Sequence, residues 1–538
     1  MLDALREQLT CRSAKDGCSP QGQCGCCTVW IDGAPRVACV TAVRRVAGRS
    51  VTTVEGLEPG LRDRWVGAFA AAGASQCGFC TPGILLRLAA LEHGGRPPTR
   101  TSVESALLAH LCRCTGWQTI VEAGCAALGL DTSPALAPQP RADPLLVSWR
   151  AQLEGPTYQS SGSDVILGGG GFADDTSPAG ALVQLGAVDA PLAPSLAAAR
   201  AGATKVQGRN STVPLVHPVA VPDGEWALTL QTTWVEPAYV EPDASWDTPG
   251  AHPASPLANG GAFGGKRQSP VSARARTLAA EVDRSVRVLW SREDVVRYGP
   301  KRPPLALGLR PDGSGVVRIG RTPGSRDLGD LRDRIRAVAP DVVLEEIDIV
   351  GPLVSDDLRG AGWVEVLAAR RTLEARQEES GPIEAGTGAA DVTLPGGGRA
   401  AVRLDTRPGP SGRGSVAVEV WAGEPLDTVT LRSYIVGAVH QALGLVWSEG
   451  IAVDPHGAPV DLTIRSFGIL AARQMPQVDV VVHPEDRWPV NGSDAVFAAT
   501  AAAAWIAEGA PPQWPTRRSG AGQRGRVAAL PVDREEKA

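Results

Sequence analysis

No cysteine occurs beyond Cys125 in this 538-residue chain, yet the opening quarter holds all eleven. The sequence also lacks an apolar run long enough to cross a bilayer: the longest, about Ala495 to Ala507, is too short and mostly alanine. Its start, MLDALREQLT, carries Asp3 and Glu7 where a secretory signal needs an apolar segment. Charge of one sign is missing too. The net charge is −5 with both signs interspersed, which predicts neither nucleic-acid nor membrane binding. The seven histidines show no metal-ligand spacing, and no G-x-S-x-G elbow appears, so a zinc enzyme or a serine hydrolase finds no support. These absences predict a cytoplasmic protein. At 43% hydrophobic and 21% charged residues, the composition is that of a globular chain long enough for several domains.

What is present is sulfur in two constellations. A disulfide framework does not suit a reducing compartment, so confined cysteines read as metal chemistry. The first set is Cys18-x5-Cys24-x2-Cys27-x11-Cys39, with three sulfurs on one loop and the fourth beyond a strand-like piece. Zinc sites more often show two short paired loops. Three loop ligands plus a distant fourth is the plant-type [2Fe–2S] layout, here with a first gap of five residues instead of four. The segments TVWIDG and RVACV predict a hairpin turning at Asp32-Gly33. Gly22 and Gly25 would let backbone N–H groups turn toward the sulfurs. A cluster is the favoured reading, with zinc as the alternative.

The second set is Cys77-x2-Cys80-x31-Cys112-x1-Cys114. Pro82 near a first turn and Gly94 at the end bracket one helix, and Thr101-x-x-Glu104 predicts the capping box of a second. A third restarts after Thr115-Gly116, so all four sulfurs fall at helix ends. Cys11, Cys26 and Cys125 are read as non-ligands.

QCGFCTPG and LCRCTGWQTIVEA, preceded by the ferredoxin-type loop and TTVEGL, resemble the iron–sulfur part of the xanthine oxidase family of molybdenum hydroxylases. Further on, GGGGFADD (168–175) resembles the start of the family's hammerhead subdomain, and WVEPAYVEPDASW (234–246) the opening of its first catalytic subdomain. NGGAFGGKRQSP (259–270) resembles the glycine loop beside the molybdenum, LRGAGWVEV (358–366) the arginine loop of the substrate pocket, and 437–499 the closing cofactor and base region. Gly260-x4-Gly265-Lys266 nearly spells a phosphate-binding P-loop, but Arg267 stands where Ser or Thr must hold Mg²⁺, leaving a tight turn or a cofactor loop.

The resemblance implies a multidomain α+β fold. A ferredoxin-like β-grasp domain (1–57) would be followed by a four-helix [2Fe–2S] domain (58–130) and a linker (131–160). Next would come an α/β hammerhead-like subdomain (161–215), a shortened molybdopterin-binding-like domain (216–515) and a disordered tail (516–538). The usual first hairpin before LLDALRE-like sequence is missing. Two [2Fe–2S] clusters would be ligated by Cys18, Cys24, Cys27 and Cys39 and by Cys77, Cys80, Cys112 and Cys114. A molybdenum–pterin cofactor would lie against Gly261, Phe263, Gly264 and Gly265, and no FAD is expected in this chain, since 130–160, where many family members carry the flavin domain, has no room for one.

The implied activity is hydroxylation of an aldehyde or N-heterocycle at an electron-poor carbon, with Asp494 as base and Arg359 orienting the small-molecule substrate. Electrons would pass through both clusters to a separate FAD subunit or a soluble acceptor, in an assembly of the homodimer-of-heteromers kind. Asp494 stands where the family has glutamate. The shorter side chain loses about 1.5 Å of reach, a displacement worth on the order of 10²-fold in rate. The contrasting reading is an electron-transfer subunit whose molybdenum part has become a scaffold.

Overall fold

The computed structural model describes residues 1–130, 143–155, 162–186, 189–202, 213–251, 260–326, 328–378, 385–409 and 412–517. In the opening unit, strands Thr28–Ile31 and Ala34–Val37 pair antiparallel across Asp32 and Gly33. Both turn residues have positive φ, 50° and 77°, the backbone that matches the twist of a two-residue hairpin. Val51–Thr52 adds to the other side of the first strand, whose four residues are all buried. The hairpin therefore folds where the sequence predicts it.

Helices Pro59–Ala72, Thr81–Ala89, Arg100–Leu107 and Gln118–Ala127 follow. The second starts with Pro82 in its first turn. The capping box of the third lies earlier than expected. Thr99 Oγ1 accepts the Ser102 N–H (3.1 Å) and Ser102 Oγ accepts the Thr99 N–H (2.8 Å). Thr99 follows Pro97-Pro98 and is extended at φ −135°, the backbone of an N-cap, so the helix begins at Arg100. Glu104, expected to close the box, instead pairs with Arg413 at 2.6 Å.

The expected linker is also corrected. Residues 131–142 lie outside the described residues, but Pro144–Glu154 is a helix capped by Asp143, which accepts the Leu145 N–H at 2.8 Å. Aspartate followed by proline is a helix-start pair, and the helix is pinned by the wholly buried Arg150 and Glu154.

Among the described residues three four-stranded sheets make the body. In the first, Leu182–Leu185 and Leu192–Ala193 of the hammerhead-like segment are completed by Val286–Leu289 and Ala244–Asp247, so its sheet does not close within 161–215. The second runs Val342–Asp348, Gly315–Arg321, Leu305–Leu309, Leu228–Gln231. The third runs Thr387–Thr393, Arg399–Asp405, Ser415–Trp421, Gln477–His483 and turns Val416, Val418 and Val420 inward. Against it lies helix Ser493–Ala507, the long apolar run, which also packs on helices Thr428–Trp447 and Trp363–Glu378. Contact on all sides explains a helix of small residues without a polar face: a Cβ on Gly388 of the sheet would come within 2.0 Å of Ala503 O. Among the described residues no helix is long and apolar enough to cross a membrane. The tail expected to be disordered lies outside the described residues from 518. Before that point Thr516 is held by Val446 O (2.8 Å), and Arg517 stacks 3.6 Å over the Trp447 ring.

Candidate functional site

Two four-sulfur nests form in the opening quarter. In the first, the Cys18 sulfur meets those of Cys24 and Cys39, and Cys39 also meets Cys27. The backbone N–H groups of Gln21 and Gln23 point at Cys18 Sγ (3.2 and 3.4 Å), and that of Cys39 at Cys27 Sγ (3.4 Å). These donors favour negative sulfur. The turn needs glycine at position 25, where φ is +75° and a Cβ would lie 2.4 Å from His110 Nδ1.

In the second nest, Cys114 Sγ lies 3.7 Å from Cys77 Sγ, and Cys112 meets both Cys80 and Cys114. Thr115 Oγ1 sits 3.2 Å from Cys112 Sγ. All four are buried. In each nest contact with the neighbouring sulfurs draws one thiol down, Cys18 or Cys112, and pushes others up, Cys24 and Cys39 or Cys80 and Cys114. The sulfurs compete for negative charge that a cationic core would neutralise. Among the described residues no trio of His, Cys, Asp or Glu is arranged around a single ion. Such linked sulfurs fit a polynuclear core that brings its own sulfides.

The nests touch. Leu111 N–H donates to Cys24 O at 3.0 Å, and a Cβ on Gly83 would lie 2.5 Å from Gly25 O. Cys26, read from sequence as a bystander, is buried with its thiol against Cys24. His110 is buried beside the first loop with neither ring nitrogen hydrogen-bonded, and burial lowers its pKa to about 3.

A narrow cleft of about 40 Å³ adjoins the second nest, edged by Gly261, Phe263, Arg113, Arg359, Gln441 and Glu449. A Cβ on Gly261 would stand 3.5 Å from Cys114 Sγ, so the glycine loop lies directly on the nest. Gly264, at φ +100°, lets the loop close on the Arg359 segment: a Cβ would meet Asp357 O at 1.8 Å, and Arg359 N–H donates to Phe263 O at 3.0 Å. Gly265 packs on Pro237. Asn259 lies outside the described residues. Lys266 turns away from the cleft and pairs with Glu241 at 2.8 Å, which leaves a P-loop without its phosphate-binding lysine.

The structure brings Arg359 and Asp494 together. Arg359 Nε donates to Asp494 Oδ1 (2.8 Å), Nη2 to Ser493 Oγ (2.5 Å) and Nη1 to Gln441 Oε1 (3.4 Å). The guanidinium lies between the rings of Phe263 and Phe497, 5.2 and 5.3 Å from their centroids. Asp494 is not the N-cap of its helix. Gly492 holds that place, and the buried Glu154 caps by accepting the N–H groups of Gly492 and Ser493.

Sequence reasoning missed three side chains. Glu154 caps from 338 residues away. Glu449 binds Arg113, the residue between Cys112 and Cys114, through both oxygens. Arg465 bridges Gln23 O (2.9 Å) and Leu108 O (3.0 Å). Only Arg113, inside a cysteine motif, carried a local signal.

A family model described as a [2Fe-2S] binding domain matches residues 53–125. The nicotine 6-hydroxylase small subunit of Paenarthrobacter nicotinovorans is 43% identical over 123 residues, which is 23% of this chain and 74% of that subunit. The chain belongs to the xanthine oxidase family of molybdenum hydroxylases. The xanthine dehydrogenase iron-sulfur-binding subunit of Escherichia coli O157:H7, 40% identical over 124 residues, covers 22% of this family member and is covered over 77% of its own length. For the whole chain, the aldehyde oxidoreductase of Desulfovibrio gigas superposes with a TM-score of 0.69 at 15% identity, over 96% of each chain. At that identity the likeness is one of fold, and it establishes the multidomain α+β architecture of a molybdenum-hydroxylase family member.

Proposed function

We propose that this chain is a molybdenum hydroxylase in which the eight nest cysteines ligate two [2Fe–2S] clusters and the adjoining cleft receives an aldehyde or N-heterocycle. The observation that carries the reading is the seating of the Gly261 edge on Cys114, which puts the cleft lined by Phe263 and Arg359 against a sulfur nest. Gly261, Phe263, Gly264 and Gly265 would hold the molybdenum–pterin group, with Gly261 and Phe263 lining the cleft and Gly264 and Gly265 letting the loop pack on Asp357 and Pro237 behind it. Bound there, that group would supply the two-electron hydroxylation chemistry typical of the family.

The chain's own residues would position and deprotonate. Opening the Arg359–Asp494 pair frees a guanidinium to orient a carbonyl or ring nitrogen and a carboxylate to take a proton at Oδ1. Phe263 and Phe497 keep water from the guanidinium faces. Electrons would leave by way of Cys114, the Leu111–Cys24 hydrogen bond and the first nest, toward a separate FAD subunit or a soluble acceptor. Relatives that are themselves named as subunits support a partner chain; the assembly would be a homodimer of heteromers in the cytoplasm.

Metal analysis tests the reading. About four iron with one molybdenum and a pterin per chain is expected, and iron alone would leave an electron-transfer subunit with a scaffold body. In molybdenum-loaded protein, Asp494→Asn should lower kcat by at least about 10²-fold, and full activity would remove Asp494 as the base.

A further inference from the structure

The surface over the first nest is basic and apolar. No Asp or Glu occurs between Asp32 and Glu55, a stretch holding Arg36, Arg44, Arg45 and Arg49, although the whole chain is acidic at −5. Cys39, in the same stretch, is the single half-buried member of the eight nest cysteines. Next to it Val40 and Val43 are 56% and 54% exposed, and Arg44 and Arg45 are exposed with no ion pair among the described residues. Arg49 differs, being tied to Asp32 at 2.6 Å.

This face continues across the nest loop. Val40 lies against Gly22, where a Cβ would come within 2.9 Å of it. The adjoining Gln23 is bonded by the exposed Arg465, which also holds Leu108, 41% exposed, through its backbone oxygen. Arg465 has no carboxylate partner among the described residues, and it is close enough to Cys18 and Cys24 to feel their charge. The half-buried Arg87 behind the loop is held down by burial and by repulsion from Arg36, so the neighbourhood is short of compensating acid. The carboxylate bonded to this loop, Glu293, is taken by Gln21 at 2.8 Å.

We propose that this face, Val40, Val43, Arg44, Arg45, Leu108 and Arg465, docks an electron-carrier protein that is acidic around its own cofactor. Three exposed apolar side chains beside three arginines without a carboxylate partner among the described residues is the anatomy of a transient, electrostatically steered interface. Arginine so placed raises the association rate and selects an acidic partner, while the valines and leucine lose water on contact. The inference rests on the reading that electrons leave through the first nest. One electron passes from the reduced cluster, which returns to its oxidised form, and the carrier gains that electron. No bond in the chain forms or breaks.

An acidic flavodoxin, FMN-loaded and oxidised, serves as the probe, with binding measured by titration calorimetry on the full chain. At low salt wild type should bind it, the affinity should fall steeply between 50 and 300 mM salt, and Arg44→Glu/Arg45→Glu should weaken binding by about tenfold or more. Val40→Ser/Val43→Ser should weaken it with the salt slope kept. No binding by wild type, an unchanged affinity in the arginine variant, or equal affinity for a single-stranded DNA oligonucleotide overturns the docking face. Iron content and the reduced-cluster EPR signals, recorded on the same samples, test the electron-exit reading separately: missing clusters with intact binding would sink that reading and leave the face standing.

Discussion

The sulfur nests and the neighbouring cleft are built on opposite plans. Each nest takes its four cysteines from one short stretch, residues 18–39 or 77–114, and glycines at the turns let backbone N–H groups or other loops approach. The cleft draws Arg113, Phe263, Arg359, Gln441 and Glu449 from segments spread over more than three hundred residues. Its charges are satisfied pairwise, Arg113 by Glu449 and Arg359 by Asp494, with Arg302 of the same cleft held by Glu365 at 2.6 Å. A nest is thus a local object, assembled within one stretch of the chain. The cleft is a product of tertiary packing and collapses in part if one distant element shifts.

The largest expected effect breaks a nest. Cys112→Ala removes the sulfur that meets both Cys80 and Cys114, and about half of the iron should be lost, with one EPR signal missing and the other unchanged. Retention of both signals would show that the two foursomes are assigned wrongly.

Next comes the long-range scaffold of the cleft. Glu154→Gln leaves the buried Arg150 without its partner (2.9 Å) and uncaps helix Ser493–Ala507, a loss of about 3–5 kcal/mol. Chemical denaturation should show it, while the iron content of the nests stays the same. Loss of iron in parallel would erase the contrast between local and distant construction.

A pH effect should arise at His110. Its folded pKa near 3 lies below the unfolded value near 6.5, so between these values the unfolded chain binds the extra proton. Its contribution is complete above pH 6.5 and is lost as pH falls toward 3. Lowering the pH from 7.5 to 5.5 should cost about 1 kcal/mol through this group, and His110→Asn should flatten that part of the thermal-midpoint profile.

The smallest effect separates sequence pattern from observed cap. Thr99→Ala should cost about 1 kcal/mol and Thr101→Ala almost nothing, by thermal unfolding. The reverse order would restore the sequence-based capping box.

That capping box shows how legibility fails at short range. Two candidate starts two residues apart carry similar chemistry, and the reciprocal Thr99–Ser102 bonds take the one that follows directly on Pro97-Pro98. The Asp32-Gly33 hairpin and the Pro82 helix start had no such rival, and both form as read. Helix Pro144–Glu154 was hidden beside a run rich in proline and alanine; its two buried charged residues pair with each other, and their remaining partners, Val490 O and the Ser493 N–H, come only with the folded chain.

Sequence by itself singled out the eight sulfurs, their two groups and the family, because each group gathers cysteines from short motifs within one stretch of the chain. The glycine loop and the Arg359 loop were also visible as local patterns, since positive φ and tight packing demand glycine there. Tertiary structure alone decided that Arg359 grips Asp494, that Glu449 holds Arg113, and that Arg465 reaches across to the first nest. Those pairings join residues whose separation in sequence carries no distance information. Burial enforces them, because a charge removed from water must find a partner wherever the fold has placed one.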